Sequence, residues 1–148
     1  EGLKKNEVKV STSNGETADM VASGQFLFGL ADSDDAYSRL KQGRPIDVVY
    51  PDQGSDEAGC MIIPNALVLI KGGPNLENAK KLIDYLLTKE TERKLAFSDA
   101  AQIPLHPGVE IPPQLRHIEN LKTMSVDYAK VAAKMQEIQP FLKTWAGL

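Results

Sequence analysis

The chain is poor in the features that most readily give a function away. It has a single cysteine, Cys60, so no internal disulfide can form and redox compartment is not legible from cysteine usage. Set within "GCMIIPNALVLI", that thiol reads as a small buried apolar residue. No apolar run approaches the ~20 residues that cross a bilayer, and nothing at the N-terminus resembles a charged-then-apolar signal segment. Basic residues come in runs no longer than pairs, as at Lys4-Lys5 and Lys80-Lys81, and the net charge is −3. There is no electrostatic footprint for a phosphate backbone, which argues against nucleic acid as a partner. The two histidines, His106 and His117, have no cysteine or further histidine at metal-ligand spacing, so a structural zinc site is not expected. No nucleophile turn and no Gly-Lys-Ser/Thr phosphate loop occurs, and the chain is not expected to be an enzyme.

What is present is the composition of a folded globular protein: 42% apolar and 25% charged residues over 148 positions. That length suits one domain or a piece of a two-domain protein. A first residue of Glu rather than Met suits a processed or truncated product.

"EVKV" alternates with period two, predicting a strand that feeds a helix capped from within "STSNG". "FLFGLAD" predicts a short buried strand, "DDAYSRLKQG" a helix closed by Gly43, and "IDVVY" a further strand. Two strand-helix units followed by a strand predict an α/β fold with a mostly parallel sheet and flanking helices. "PDQGSDEAG" breaks the pattern as a loop or crossing point. "CMIIP" and "ALVLIKG" then predict two strands or one long bent strand. "PNLENAKKLIDYLLTKE" spaces Leu76, Ala79, Leu82, Ile83, Leu86 and Leu87 as a helix, and "TERKLAFSDA" predicts another. "IPLHPGVEIPPQ", with four prolines, should be irregular. From Ser125 onward, Tyr128, Val131, Met135, Ile138, Leu142 and Trp145 form one amphipathic face, suited to packing or to docking on another subunit, which Pro140 should kink or interrupt.

Three carboxylates, Asp32, Asp34 and Asp35, fall where a strand gives way to a helix, the edge at which open α/β sheets bind ligands. They equally suit a cap from Asp32 or Ser33 with the remaining carboxylates solvated near the positive end of the helix. Ser11, Thr12, Ser13 and Asn14 can present donors to a ligand at the other helix start, or serve only as cap and turn. Tyr50 ends a strand at the same inferred rim, as a ligand contact or as a buried ring.

In order along the chain, "GETADMVASGQFLFGLADSDDAYSRLKQGRPIDVVYPDQG", "IPNALVLIKGGPNLENAKKLIDYLLTKETERKLA", "QIPLHPGV" and "VDYAKVAAKMQEIQPFL" together resemble the C-terminal half of the periplasmic solute-binding proteins of ABC importers, type II, in the branch that includes ferric-iron binders. The resemblance implies two α/β lobes around a ligand cleft. Residues 1–53 would belong to the second lobe, residues 54–113 to the hinge crossing and part of the first, and residues 114–148 to C-terminal helices packing back on the second. Each lobe would be incomplete, leaving sheet edges that self-association could cover. It further implies capture of a small solute, ferric iron or a polar or anionic organic molecule, for a membrane permease, in a periplasmic or extracellular setting and with no resident cofactor. The alternative is a truncated fragment acting only as a self-associating module.

In the ferric branch, the strand resembling "GQFLFGLAD" runs into two adjacent tyrosines that hold the iron. Without gaps that pair falls here on Asp34 and Asp35, and Tyr37, Tyr50, Tyr85 and Tyr128 form no adjacent pair. Asp32, Asp34 and Asp35 are the candidate metal ligands if a metal binds at all. Carboxylates can hold a hard cation, accept hydrogen bonds from hydroxyls or pair with an amine.

Overall fold

A computed structural model describes residues 2–147. Its elements are helical: α1 (Gly2–Lys5), α2 (Asn14–Ala22), α3 (Ser33–Lys41), α4 (Leu76–Leu86), α5 (Lys89–Phe97), a turn of 3-10 helix at Ile118–Asn120, and α6 (Tyr128–Ala146).

The helix starts follow local chemistry. Ser13 caps α2 by accepting from the Glu16 amide at 3.1 Å, while the Glu16 carboxylate reaches back to the Thr12 amide and hydroxyl, each at 2.6 Å. This is a reciprocal capping arrangement that satisfies donors the first turn leaves open. Thr88 caps α5 by accepting from the Thr91 amide and Asp127 caps α6 by accepting from the Lys130 amide. Gly43, just past the end of α3, has φ +74, the left-handed conformation that closes a helix. α6 runs through Pro140 without a break, although proline removes one backbone donor there. The interruption expected at Pro140 does not occur, and the predicted apolar stripe of α6 buries no residue.

The expected parallel sheet is absent among the described residues. The one β pairing is an isolated parallel bridge between Cys60 and Thr123. There Gly59 has φ +87, and a side chain would collide with the backbone of Thr123 at 2.7 Å, so glycine is required for the approach. The segments read as strands, at residues 7–10, 26–32, 46–50, 60–64 and 66–72, run without ladder partners apart from the bridge at Cys60. The cause is a lack of neighbours. A strand apolar on both faces gains its stability from hydrogen-bonded strands on each edge, and among the described residues no ladder joins these segments to one another. Leu27, Phe28, Leu30, Val49, Val68 and Ile70 are exposed in consequence.

The core is small and lies between α3, α5 and the proline-rich segment. Tyr37, Ala96, Ala101 and Leu115 form it, with Leu40, Val48, Ile103 and Ile111 packed around them. Polar contacts fasten the irregular segment to α5. The Glu92 carboxylate accepts from the amides of Leu105 at 3.1 Å and His106 at 3.0 Å, Lys89 donates to the Pro107 carbonyl at 2.9 Å, and Arg93 pairs with Glu110 at 2.8 Å. Lys41 meets Asp99 at 2.6 Å, tying the end of α3 to the end of α5. The "PDQGSDEAG" loop is held by the chain near residue 122: Gln53 exchanges bonds with the Lys122 backbone at 2.9 and 3.0 Å, and the Lys122 ammonium donates to the Ser55 carbonyl at 2.7 Å.

Candidate functional site

The two helix starts singled out in the sequence meet in space. α2 packs on α3, and the contact is polar at the N-terminal ends. The Asn14 amide donates to Asp32 at 2.5 Å. Arg39, one turn after Asp35, donates to its carboxylate at 3.3 Å, to the Gly15 carbonyl at 3.2 Å, and to both oxygens of Asp19 on α2 at 3.0 and 3.1 Å. A side chain at Gly15 would press on Arg39 and Asp35 at 3.1 and 3.2 Å, so the small residue lets the two helices close. Arg39 holds the Asp19 carboxyl below the usual carboxylate range through this fork of hydrogen bonds.

Asp32, Asp34 and Asp35 each turn a carboxylate oxygen into one cluster, all within 4.8 Å of one another. Asp32 is exposed and the other two half-buried. Two of the three are held by neutral donors. Asp32 has Asn14, and Asp34 accepts at 2.8 Å from the Gln102 amide, whose own oxygen accepts from Asn65 at 2.8 Å. Among the described residues, only Asp35 of the three has a cation, Arg39, within ion-pair distance. Although Asp32 stands at the N-cap of α3, its side chain makes no capping bond; the carboxylate points across to α2 instead. Ser33 opens the same helix, half-buried beside it.

The hydroxyls of the "STSNG" loop are engaged by the start of α2. Ser11 and Thr17 share a hydrogen bond at 2.6 Å, Thr12 is bound to Glu16, and Ser13 is the cap. Asn14 alone of the four candidates in this loop reaches the carboxylates.

Tyr50 joins a different group. Its hydroxyl lies 3.2 Å from that of Tyr37 and its ring lies under the Arg116 guanidinium at 5.5 Å. Burial, then the hydrogen bond with Tyr37, push the Tyr50 phenol far above its ordinary range, so it stays neutral. The chain thus has no adjacent tyrosines in sequence but brings two hydroxyls together in space, in a form poorly suited to phenolate.

Gln102 and Asn65 were not foreseen as members of the cluster. They lie 68 and 31 positions from Asp34 in the chain, in segments with no periodic pattern to place them. Arg39 was within reach of sequence reasoning, because i and i+4 share a helix face.

No membrane-crossing helix is found among the described residues: none is both long and apolar enough. A "Putative 2-aminoethylphosphonate-binding periplasmic protein" of Salmonella typhimurium is 28% identical over 94 residues, 64% of this chain and 28% of its own length; the protein of the same description in Salmonella paratyphi A matches equally. An uncharacterized protein of Haemophilus influenzae is 28% identical over 127 residues, covering 84% of this chain and 34% of its own length. The chain therefore spans about a third of the length of these relatives. No solved structure matches the chain. The family described as bacterial extracellular solute-binding protein matches residues 1–123, and the chain belongs to that family, whose members bind solutes and are not enzymes.

Proposed function

We propose that the chain contributes the solute-facing carboxylates of a periplasmic binding protein that passes a small polar solute to an ABC permease. The observation that carries this reading is the cluster of Asp32, Asp34 and Asp35, three carboxylates within 4.8 Å of which two are held only by neutral amides. Such a cluster keeps uncompensated negative charge, and its natural counterpart is a solute bearing a positive group. A relative named for 2-aminoethylphosphonate supports a zwitterion of that kind. Its ammonium would sit among the three carboxylates. Its anionic end would lie toward Ser33 and the first-turn amides of α3, which no Asp32 side-chain bond occupies. Ser11, Thr12 and Ser13 then act by shaping the loop, Asn14 by orienting Asp32, and Tyr50 from outside the cluster.

The lobe assignment inferred from sequence is part of this proposal: residues 1–53 in the second lobe, 54–113 across the hinge and into the first, and 114–148 packing back. So is the mostly parallel sheet, which would form once each segment has its strand neighbours.

Isothermal titration with 2-aminoethylphosphonate tests the reading. Asp34→Asn combined with Asp35→Asn should weaken binding by about tenfold or more, since one hydrogen bond to a charged group contributes about 1.5–3 kcal/mol. Unchanged affinity would remove the site. The closeness of the three oxygens also supports a second reading, capture of a hard cation such as ferric iron, calcium or magnesium by the same carboxylates. A thermal shift with metal alone, abolished by the same double substitution, would favour it.

A further inference from the structure

The carboxylate oxygens of Asp32, Asp34 and Asp35 lie within 4.8 Å of one another, and like charges at that separation repel. Without something to hold them, they would splay apart into water. What holds Asp34 comes from two distant segments. The Gln102 amide nitrogen donates to Asp34 at 2.8 Å and to the Ala100 carbonyl at 3.3 Å, while the Gln102 oxygen accepts from the Asn65 amide at 2.8 Å. Both ends of the Gln102 amide are thus occupied. Turned over, the amide would set its oxygen against two acceptors and its nitrogen against the Asn65 nitrogen, so a single orientation satisfies it. That orientation offers Asp34 a donor and no charge.

The distinction matters because a cation could hold the carboxylate equally well, as Arg39 holds Asp35 at 3.3 Å. A cation would also neutralise it. A hydrogen bond from an amide restrains the carboxylate, leaves its negative charge in place, and leaves lone pairs free to accept from a partner.

We propose that Gln102 is the positioning residue that makes the cluster selective for a solute bearing an ammonium group, with Asn65 fixing the direction of its amide. This inference rests on the reading of the three carboxylates as solute-facing. Preorganisation is the physical basis: a carboxylate already held against its neighbours' repulsion needs no reordering when the ammonium arrives. Asn65 acts at one remove. It reaches Asp34 only through Gln102.

Isothermal titration of the whole chain with 2-aminoethylphosphonate and with ethylphosphonate, the analogue without the ammonium group, tests the proposal. Wild type is expected to prefer the ammonium-bearing solute. Gln102→Leu should weaken binding of that solute by about tenfold, the lower end of what losing a group behind a ligating side chain costs, and leave ethylphosphonate unchanged. A merely structural role would lower both alike. Gln102→Lys, which sets an ammonium where the amide was, should abolish the preference. Asn65→Ala, at an exposed position, should weaken 2-aminoethylphosphonate binding by itself and add nothing beside Gln102→Leu, because its effect passes through Gln102. Equal affinity of wild type for the two solutes, or binding of neither, would overturn the solute-facing reading and the role of Gln102 with it. A preference lost in Asp34→Asn but kept in both Gln102→Leu and Gln102→Lys would overturn the role of Gln102 alone, as would equal losses for the two solutes. Should the Gln102 variants lose the far-ultraviolet helix signal, Asn65→Ala decides: an unchanged preference there overturns the proposal.

Discussion

Glu92 is one of three α5 residues, with Lys89 and Arg93, that tie the proline-rich segment to a helix. Burial works against its ionisation, yet the amides of His106 and Leu105 and the His106 ring more than offset this, leaving its carboxyl below the ordinary glutamate value of 4.5. The His106 Nδ1 stands 2.9 Å from the carboxylate. A carboxyl whose folded pKa is depressed binds its proton less readily when folded than when unfolded. Its contribution is therefore present above about pH 4.5 and is lost as pH falls through the lower folded value. Glu92→Gln should lose about 1–3 kcal/mol at pH 7, the scale of hydrogen bonds to a charged acceptor, and should flatten the fall in stability below pH 4.5. Urea unfolding at a series of pH values reads both. A variant with the wild-type acid slope would mean that the fall belongs to other carboxylates, such as the exposed Glu90 and Asp99 held low by their lysine partners.

At the scale of elements, the helices were legible and the sheet was not, for a physical reason. α2, α3, α4 and α5 carry their own signals: a capping residue, an apolar face at helical spacing, and Gly43 at a terminus. A helix satisfies its backbone internally, so these local signals suffice. A strand is specified only together with its neighbours. "FLFGLAD" and "ALVLI" have the composition of buried strands, and that composition is what leaves Leu27, Phe28, Val68 and Ile70 exposed when no neighbour is present. The same division holds within the site. Asn14 and the aspartates were visible because helix starts are, whereas Gln102 reaches Asp34 through a tertiary contact that no local pattern announces. The two caps beside that site should behave differently. Ser13→Ala removes a bond from Ser13 to the Glu16 amide and is expected to cost about 1 kcal/mol. Asp32→Ala removes no capping bond, should change stability by less than about 0.5 kcal/mol, and should act on solute affinity instead. Thermal melts of the two variants beside a titration separate the roles; an Asp32→Ala loss as large as that of Ser13→Ala would make Asp32 a structural cap after all.

At the scale of the whole molecule, a core without one large fully buried side chain contributes little stabilisation, because burial of apolar area is the main favourable term in folding. If the chain self-associates, as the incomplete lobes inferred from sequence would favour, folding and association become linked, and the melting temperature depends on protein concentration. A hundredfold rise in concentration adds about 2.7 kcal/mol to the stability of a dimer, which for two chains of 148 residues corresponds to a rise of about 4 °C. Differential scanning fluorimetry across the hundredfold range tests this: a wild-type melting point that does not move would show that the chain reaches its stability alone.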